Sequence, residues 1–209
     1  MKEFLPVLGM IIGVALLIIV VGVLGGGNLF GPQKKGGEME KAKILMIVAP
    51  ENFRDEEYQK PREILEQAGA EITVASKGTT EAKGLLGAKV KVDKEIEQVN
   101  IDDYQAIVFV GGPGSAVYFD DQEALNLAKS ADEKGKIVSA ICIAPSILAN
   151  AGILSGKKAT AYSSEKDNLV AKGAQFTGES VVMDGKIITA NGPEAAEEFG
   201  RKLVEILKL

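Results

Sequence analysis

The stretch Lys136-Ile-Val-Ser-Ala-Ile-Cys-Ile-Ala-Pro-Ser-Ile-Leu-Ala-Asn-Ala-Gly152 holds the key to the fold. Ile137 to Ile141 is a short, mostly apolar run of the length of a buried strand. From Ala144 onward, Ile147 and Leu148 begin a helical pattern that stops at Gly152, a residue suited to a helix C-terminal cap. Cys142, the single cysteine of the 209 residues, sits between the two with no room for a loop. A strand that passes straight into a helix holds its corner residue in a tight turn and aims it at the helix's first N–H groups. Those groups and the helix dipole favour an anion, so the spacing predicts a thiol that ionises more readily than free cysteine. The competing reading is a core filler, because unpaired cysteine is among the most buried residue types.

Composition narrows the choices. At 46% hydrophobic and 25% charged, the chain is long enough for one well-buried α/β domain. A net charge of −5 argues against a nucleic-acid surface. One cysteine excludes an internal disulfide, so oxidation chemistry would involve a small molecule or another chain. There is no histidine, which removes the commonest general base and the commonest metal ligand together. The acids do not cluster at ligand spacings, so no metal site and no cofactor are expected.

The amino terminus is of another kind. No charged residue occurs from Phe4 to Gln33, and Leu5 to Leu24 is almost wholly aliphatic. About 20 helical residues span roughly 30 Å, the thickness of a bilayer's hydrocarbon core. The run is longer than a usual signal-peptide core and is followed by Gly25-Gly-Gly-Asn-Leu-Phe30 without an Ala-x-Ala cleavage site. Residues 1–25 are therefore expected to form an uncleaved transmembrane anchor, with 4–24 in the bilayer. Residues 26–41, rich in glycine with Pro32, are expected to form a flexible tether, and 42–209 the domain. Gly9 and Gly13 form a G-x-x-x-G pair that would let two anchors pack. Lys34, Lys35, Lys41 and Lys43 outnumber Lys2, which places the domain in the cytoplasm, with the opposite orientation as the runner-up.

Within the domain, Ala42 to Ala49 reads as a strand covered on both faces. Glu51 to Glu57 is an acidic loop or helix start in which Asp55 and Glu56 read as solvated, and Pro61 fits a first turn or a kink. Ala70 to Ala75 completes a βαβ unit and implies a parallel sheet. Lys89 to Asp93 is a peripheral strand or hairpin arm. Tyr104 to Val110 runs into Gly111-Gly-Pro-Gly-Ser115, which lacks the residues of a phosphate loop. A helix over Gln122 to Lys134, a strand at Lys158 to Tyr162, a hairpin turning at Asp184-Gly185 and a helix over Ala195 to Leu207 close the chain. Open parallel sheets place their sites beyond the strands' carboxyl ends, where the Glu51–Glu57 segment, the Gly111–Ser115 turn and Cys142 converge.

These residues resemble the ThiJ/PfpI superfamily, which includes PfpI-type intracellular proteases and the Parkinson-associated deglycase. The resemblance covers Lys43 to Leu207. Ser139-Ala-Ile-Cys142 matches the family's elbow, and Glu57, four residues before Pro61, the acid beside the cysteine. Gly111-Gly112 matches the turn that supplies an oxyanion-hole N–H, and Asn191-Gly-Pro193 a corner before the last helix. It implies a flavodoxin-like three-layer sandwich with a mostly parallel sheet, as in class I glutamine amidotransferases, here preceded by one transmembrane helix. It also implies association into a homodimer or larger homo-oligomer. The departures are as telling. Ile143 stands where the protease branch has histidine, Ala144 at a common glycine, Tyr162 at a frequent histidine and Val110 at a proline.

The resemblance thus implies Cys142 as nucleophile, Glu57 as proton shuttle, and the Gly112 and Ile143 N–H groups as oxyanion hole. Gly111, Tyr162 and Asn191 fall to the pocket wall. Proteolysis needs a group to protonate the departing amine, and without histidine it is disfavoured. Addition of a thiolate to an aldehyde is less demanding, so glyoxalase- or deglycase-like chemistry on small carbonyl compounds or glycated groups is expected. The alternatives are a redox or stress sensor, in which an oxidant meets Cys142 beside a protonated Glu57, and a non-catalytic binding domain.

Overall fold

The computed structural model describes residues 41–209. The expected anchor and tether lie, save Lys41, outside the described residues; among the described residues no helix is long and apolar enough to cross a membrane.

The domain begins with β1 (Lys43–Ile47), β2 (Glu51–Phe53), α1 (Asp55–Gln67) and β3 (Glu71–Ser76). Then follow β4 (Glu81–Gly84), β5 (Lys89–Lys91), β6 (Lys94–Glu95) and β7 (Ala106–Phe109). The middle of the chain forms α2 (Gln122–Glu133), β8 (Ile137–Ile141), α3 (Pro145–Asn150), β9 (Lys158–Ala159) and α4 (Lys166–Ala171). It ends with β10 (Gln175–Phe176), β11 (Val181–Asp184), β12 (Ile187–Ala190) and α5 (Ala196–Leu207).

The main sheet has seven strands in the order β11-β12-β8-β7-β1-β3-β6, parallel except for β11. Its central strands β1, β7 and β8 are almost wholly buried, which is why they read as apolar runs without alternation. The buried Ser139 hydroxyl in β8 is satisfied by the Ile107 carbonyl at 2.8 Å. The crossover β1-α1-β3 runs one way along the sheet and β7-α2-β8 the other. With right-handed crossovers, α1 and α2 must then lie on opposite faces. Accordingly α1 packs on α5 and α2 on α3, giving three layers. Close approach of α1 and α5 depends on Gly200, where an added Cβ would come 2.9 Å from Pro61 Cα. Pro61 sits inside α1, not at its start, and lacks the N–H that would bond the Glu57 carbonyl.

The hairpin β11–β12 turns at Asp184-Gly185 as expected, with Gly185 at φ 62°. The strand expected over Lys158 to Tyr162 stops at Ala159. Beyond it the backbone is diverted: Thr160 N–H donates to the Thr189 hydroxyl at 2.9 Å, and Tyr162 N–H to the Cys142 carbonyl at 2.7 Å. A small sheet, β2-β4-β5, forms beside the end of β1.

The order reversal falls between β1 and β7, so their carboxyl ends open a crevice at the point where such folds place their sites.

Candidate active site

Cys142 follows β8 directly, at φ 65°. This left-handed conformation is rare for a residue with a side chain and is imposed from both sides. Cys142 N–H donates to the Ala190 carbonyl at 2.9 Å, while its own carbonyl accepts from Tyr162 N–H. The turn then enters α3 at Pro145, whose missing N–H costs nothing at a first helical position. The elbow expected from the sequence is present.

Glu57 is the third residue of α1 and is fully buried. Neither carboxyl oxygen has a hydrogen-bond partner, the only such pair of buried side-chain atoms among the described residues. Its position depends on two glycine contacts. Arg54 N–H donates to the Gly111 carbonyl at 2.9 Å, and a Cβ on Gly112 would lie 2.3 Å from Arg54 N. A Cβ on Gly111 would meet Glu57 Oε2 at 2.3 Å and Cys142 Cβ at 2.5 Å. Those two atoms are therefore no more than about 4.8 Å apart, with Gly111 filling the wedge between them. The pair requires glycine there.

Burial pushes the Glu57 carboxyl up to about 8; the neighbouring thiol and Arg54 oppose the rise, and Glu56 and Glu194 add to it. Burial first and then the Glu57 charge push the Cys142 thiol up to about 12, against the Gly112 and Ile143 N–H groups. The sequence spacing predicts a lowered thiol, and the structure corrects this. Cys142 is only 9% exposed, α3 has only six residues with which to build a dipole, and the acid beside it competes for the same negative charge. The two groups behave as one coupled acid. At neutral pH both carry their protons.

The site opens into a cleft of about 690 Å³. Of the residues expected at the site, Cys142, Glu57, Gly112, Ile143 and Tyr162 line this cleft, and Gly111 lies beneath it. Asn191 does not; it lines a neighbouring hollow of about 300 Å³ shared with Tyr162 and Glu194. Asp55, expected to be solvated, is buried, and its carboxylate accepts from Leu86 N–H at 2.8 Å and Ala88 N–H at 2.7 Å. It fastens the β4–β5 hairpin to the start of α1. Glu56 pairs with Arg54 through two contacts of 2.8 and 3.1 Å.

Among the cleft residues that sequence reasoning passed over are Arg54, Phe119, Glu165 and Glu194. Glu194 had a usable signal, since it directly follows the Asn191-Gly-Pro193 corner. Phe119 and Glu165 had none, because they enter from connections whose path only the fold determines.

The family model of the DJ-1/PfpI family matches residues 42–206, and the chain belongs to that family. A protein of Methanocaldococcus jannaschii, described as uncharacterized protein MJ0967, is 41% identical over 93% of this chain and 95% of its own length. Deglycase PfpI of Pyrococcus furiosus is 33% identical over 79% of this chain and 99% of its own length. Among solved structures, a ThiJ/PfpI domain protein from Brachyspira murdochii superposes with a TM-score of 0.79 at 35% identity, covering 80% of this chain and 98% of that one. The family and its α/β fold with a mostly parallel sheet are thereby established.

Proposed function

We propose that the domain is a cysteine-dependent enzyme of glyoxalase or deglycase type, acting on small carbonyl compounds or glycated groups. The observation that supports it best is the buried, unpartnered Glu57 carboxyl within about 4.8 Å of the Cys142 side chain. A buried acid with no partner beyond the neighbouring thiol is costly to keep, and a proton-transfer role gives it a use. Relatives named as deglycases agree with the reading.

Both groups are protonated at neutral pH, so the reactive form is the minority in which Glu57 has lost its proton. That carboxylate takes the thiol proton as sulfur bonds to the carbonyl carbon. The developing oxyanion faces the Gly112 and Ile143 N–H groups and receives the proton back from Glu57, giving a hemithioacetal. With a 2-oxoaldehyde, Glu57 then moves the former aldehyde hydrogen to the neighbouring carbon as a proton. This leaves a thioester, which water hydrolyses to a 2-hydroxy acid and the free thiol. The sum is substrate plus water, with no outside oxidant. Turnover should rise with pH toward about 8 as the pair ionises.

Peptide hydrolysis is disfavoured because Ile143 offers no proton to a leaving amine. The proposal includes a membrane anchor at residues 4–24, a cytoplasmic domain and self-association. A match over 93% of the chain leaves 7% outside it, whereas residues 1–40 make up about 19%, so the alignment with the methanocaldococcal relative extends into residues 1–40. The pyrococcal deglycase, whole at 79% of this chain, is shorter. Methylglyoxal consumption by the wild type, abolished in Cys142→Ala and strongly reduced in Glu57→Gln, tests the proposal. Equal consumption by all three would overturn it.

A further inference from the structure

The two ends of the main sheet differ in charge. At the carboxyl ends of its parallel strands, the cleft carries Glu57, Glu165 and Glu194 against Arg54, whose guanidinium is paired with Glu56. At the amino ends lysines lead. Lys43 opens β1, Lys136 precedes β8 and Lys186 precedes β12. Lys158 joins them, its backbone N–H held by Asp184 Oδ2 at 2.9 Å. None of these four ammonium groups forms an ion pair among the described residues. Two acids of this end, Asp102 and Asp184, are taken by Lys134 at 2.5 Å and Lys157 at 3.8 Å. Glu71 and Asp103 temper the surplus, and Lys208 offsets the terminal carboxylate of Leu209.

Lys136 and Lys186 border a hollow of about 310 Å³ whose apolar side is formed by Ile137, Ile206 and Leu207. Both ammonium groups are turned onto backbone carbonyls, Lys136 onto that of Asp102 at 3.2 Å and Lys186 onto that of Gly135 at 2.5 Å. A carbonyl satisfies a donor without cancelling its charge, so two cations stand beside an apolar surface. Such a site fits a phosphodiester with hydrocarbon attached. Gln105, also at the hollow, accepts the Lys43 backbone N–H at 2.7 Å, so the chain enters β1 beside it. The residues that precede Lys43 include the aliphatic run Leu5–Leu24 and the further lysines Lys34, Lys35 and Lys41.

We infer that this end of the domain docks on an anionic lipid surface, with Lys136 and Lys186 receiving phosphodiester headgroups at the hollow and Lys43 and Lys158 adding charge beside it. The inference rests on the membrane location proposed above and is independent of the chemistry at Cys142. Each lysine near an anionic leaflet adds a modest attraction that fades within about 10 Å, so the surplus acts only when this face is turned to the lipid. The same surface repels the acidic end. Docking therefore keeps the Cys142 cleft turned away from the bilayer and open to solutes.

Lysine acylation of the full chain reads the docked face. The protein is assembled with nanodiscs of phosphatidylcholine, alone or mixed with phosphatidylglycerol, acetylated briefly with an N-hydroxysuccinimide ester and mapped by peptide mass. Lys136 and Lys186 should react about fivefold more slowly with the anionic discs than with the neutral ones, and high salt should restore their rates. Lys166, exposed beside the cleft residue Glu165, should react alike in both. Lys136→Gln combined with Lys186→Gln should remove the slowing at Lys43 and Lys158. Equal rates at Lys136 and Lys186 in the two lipids overturn the inference. So does slowing that extends equally to Lys166, or that persists at Lys43 and Lys158 in the double variant. Extraction by alkaline carbonate reads the anchor separately. Slowing on anionic discs by a chain that carbonate extracts would overturn the anchor alone; a retained chain without slowing would overturn this inference alone.

Discussion

Substituting Glu57 by glutamine removes a charge from beside the thiol while keeping its shape. Glu57 Oε2 and Cys142 Cβ are at most about 4.8 Å apart and the sulfur is one bond from that Cβ, so the two charges stand on the order of 5 Å from one another. At an effective dielectric of about 20 the repulsion is about 3 kcal/mol, or roughly two pH units on the thiol. The Cys142 thiol, held at about 12, should fall toward 10 in the variant, where burial still keeps it above a free cysteine. Iodoacetamide labelling of the lone cysteine reads this directly. At pH 9 the thiolate fraction rises about a hundredfold, but the less basic thiolate is a poorer nucleophile by about tenfold, so the net gain is about tenfold. At pH 6 Glu57 already carries its proton in the wild type, and the two rates should agree within about threefold. Equal rates at pH 9, or slower labelling of the variant, would refute the coupling of the two groups.

The same substitution changes stability with a defined sign. Because the folded carboxyl is raised from 4.5 to about 8, its contribution is intact below pH 4.5, is lost as pH rises to 8, and is flat above. The rise corresponds to about 5 kcal/mol at most, so Glu57→Gln should gain on the wild type in urea melts between pH 5 and 9, and a constant gap would count against it. Asp55→Ala strands the N–H groups of Leu86 and Ala88 and should cost about 3 kcal/mol by chemical denaturation; a loss under 1 kcal/mol would mean the hairpin is held otherwise. The full chain should sediment with membranes through an alkaline carbonate wash, and residues 26–209 should stay in the supernatant; a full chain found there would remove the anchor from the proposal.

Much of the domain was legible because its pattern is local. Ile137–Ile141 and its glycine-capped helix marked the elbow, and the apolar run before Gly111 marked the strand beside it. What escaped depends on contacts between distant segments. Asp55 looks like any surface acid until the hairpin amides 31 and 33 residues away fold over it. Lys158–Tyr162 has the composition of a strand, yet Thr189 and Cys142 claim its amides. The thiol's acidity was misjudged for a related reason. The corner position argues for a helix dipole, but a short α3 and a buried acid from a different element outweigh it.

The covalent step on Cys142 can be observed directly. Full-length protein mixed with methylglyoxal, quenched within a turnover and weighed intact, should show a fraction carrying one substrate, with fragmentation placing it on Cys142. The adduct should be absent from Cys142→Ala, which should also lack turnover. Turnover that proceeds with no adduct on Cys142, and that survives its replacement by alanine, would contradict the assignment of the nucleophile.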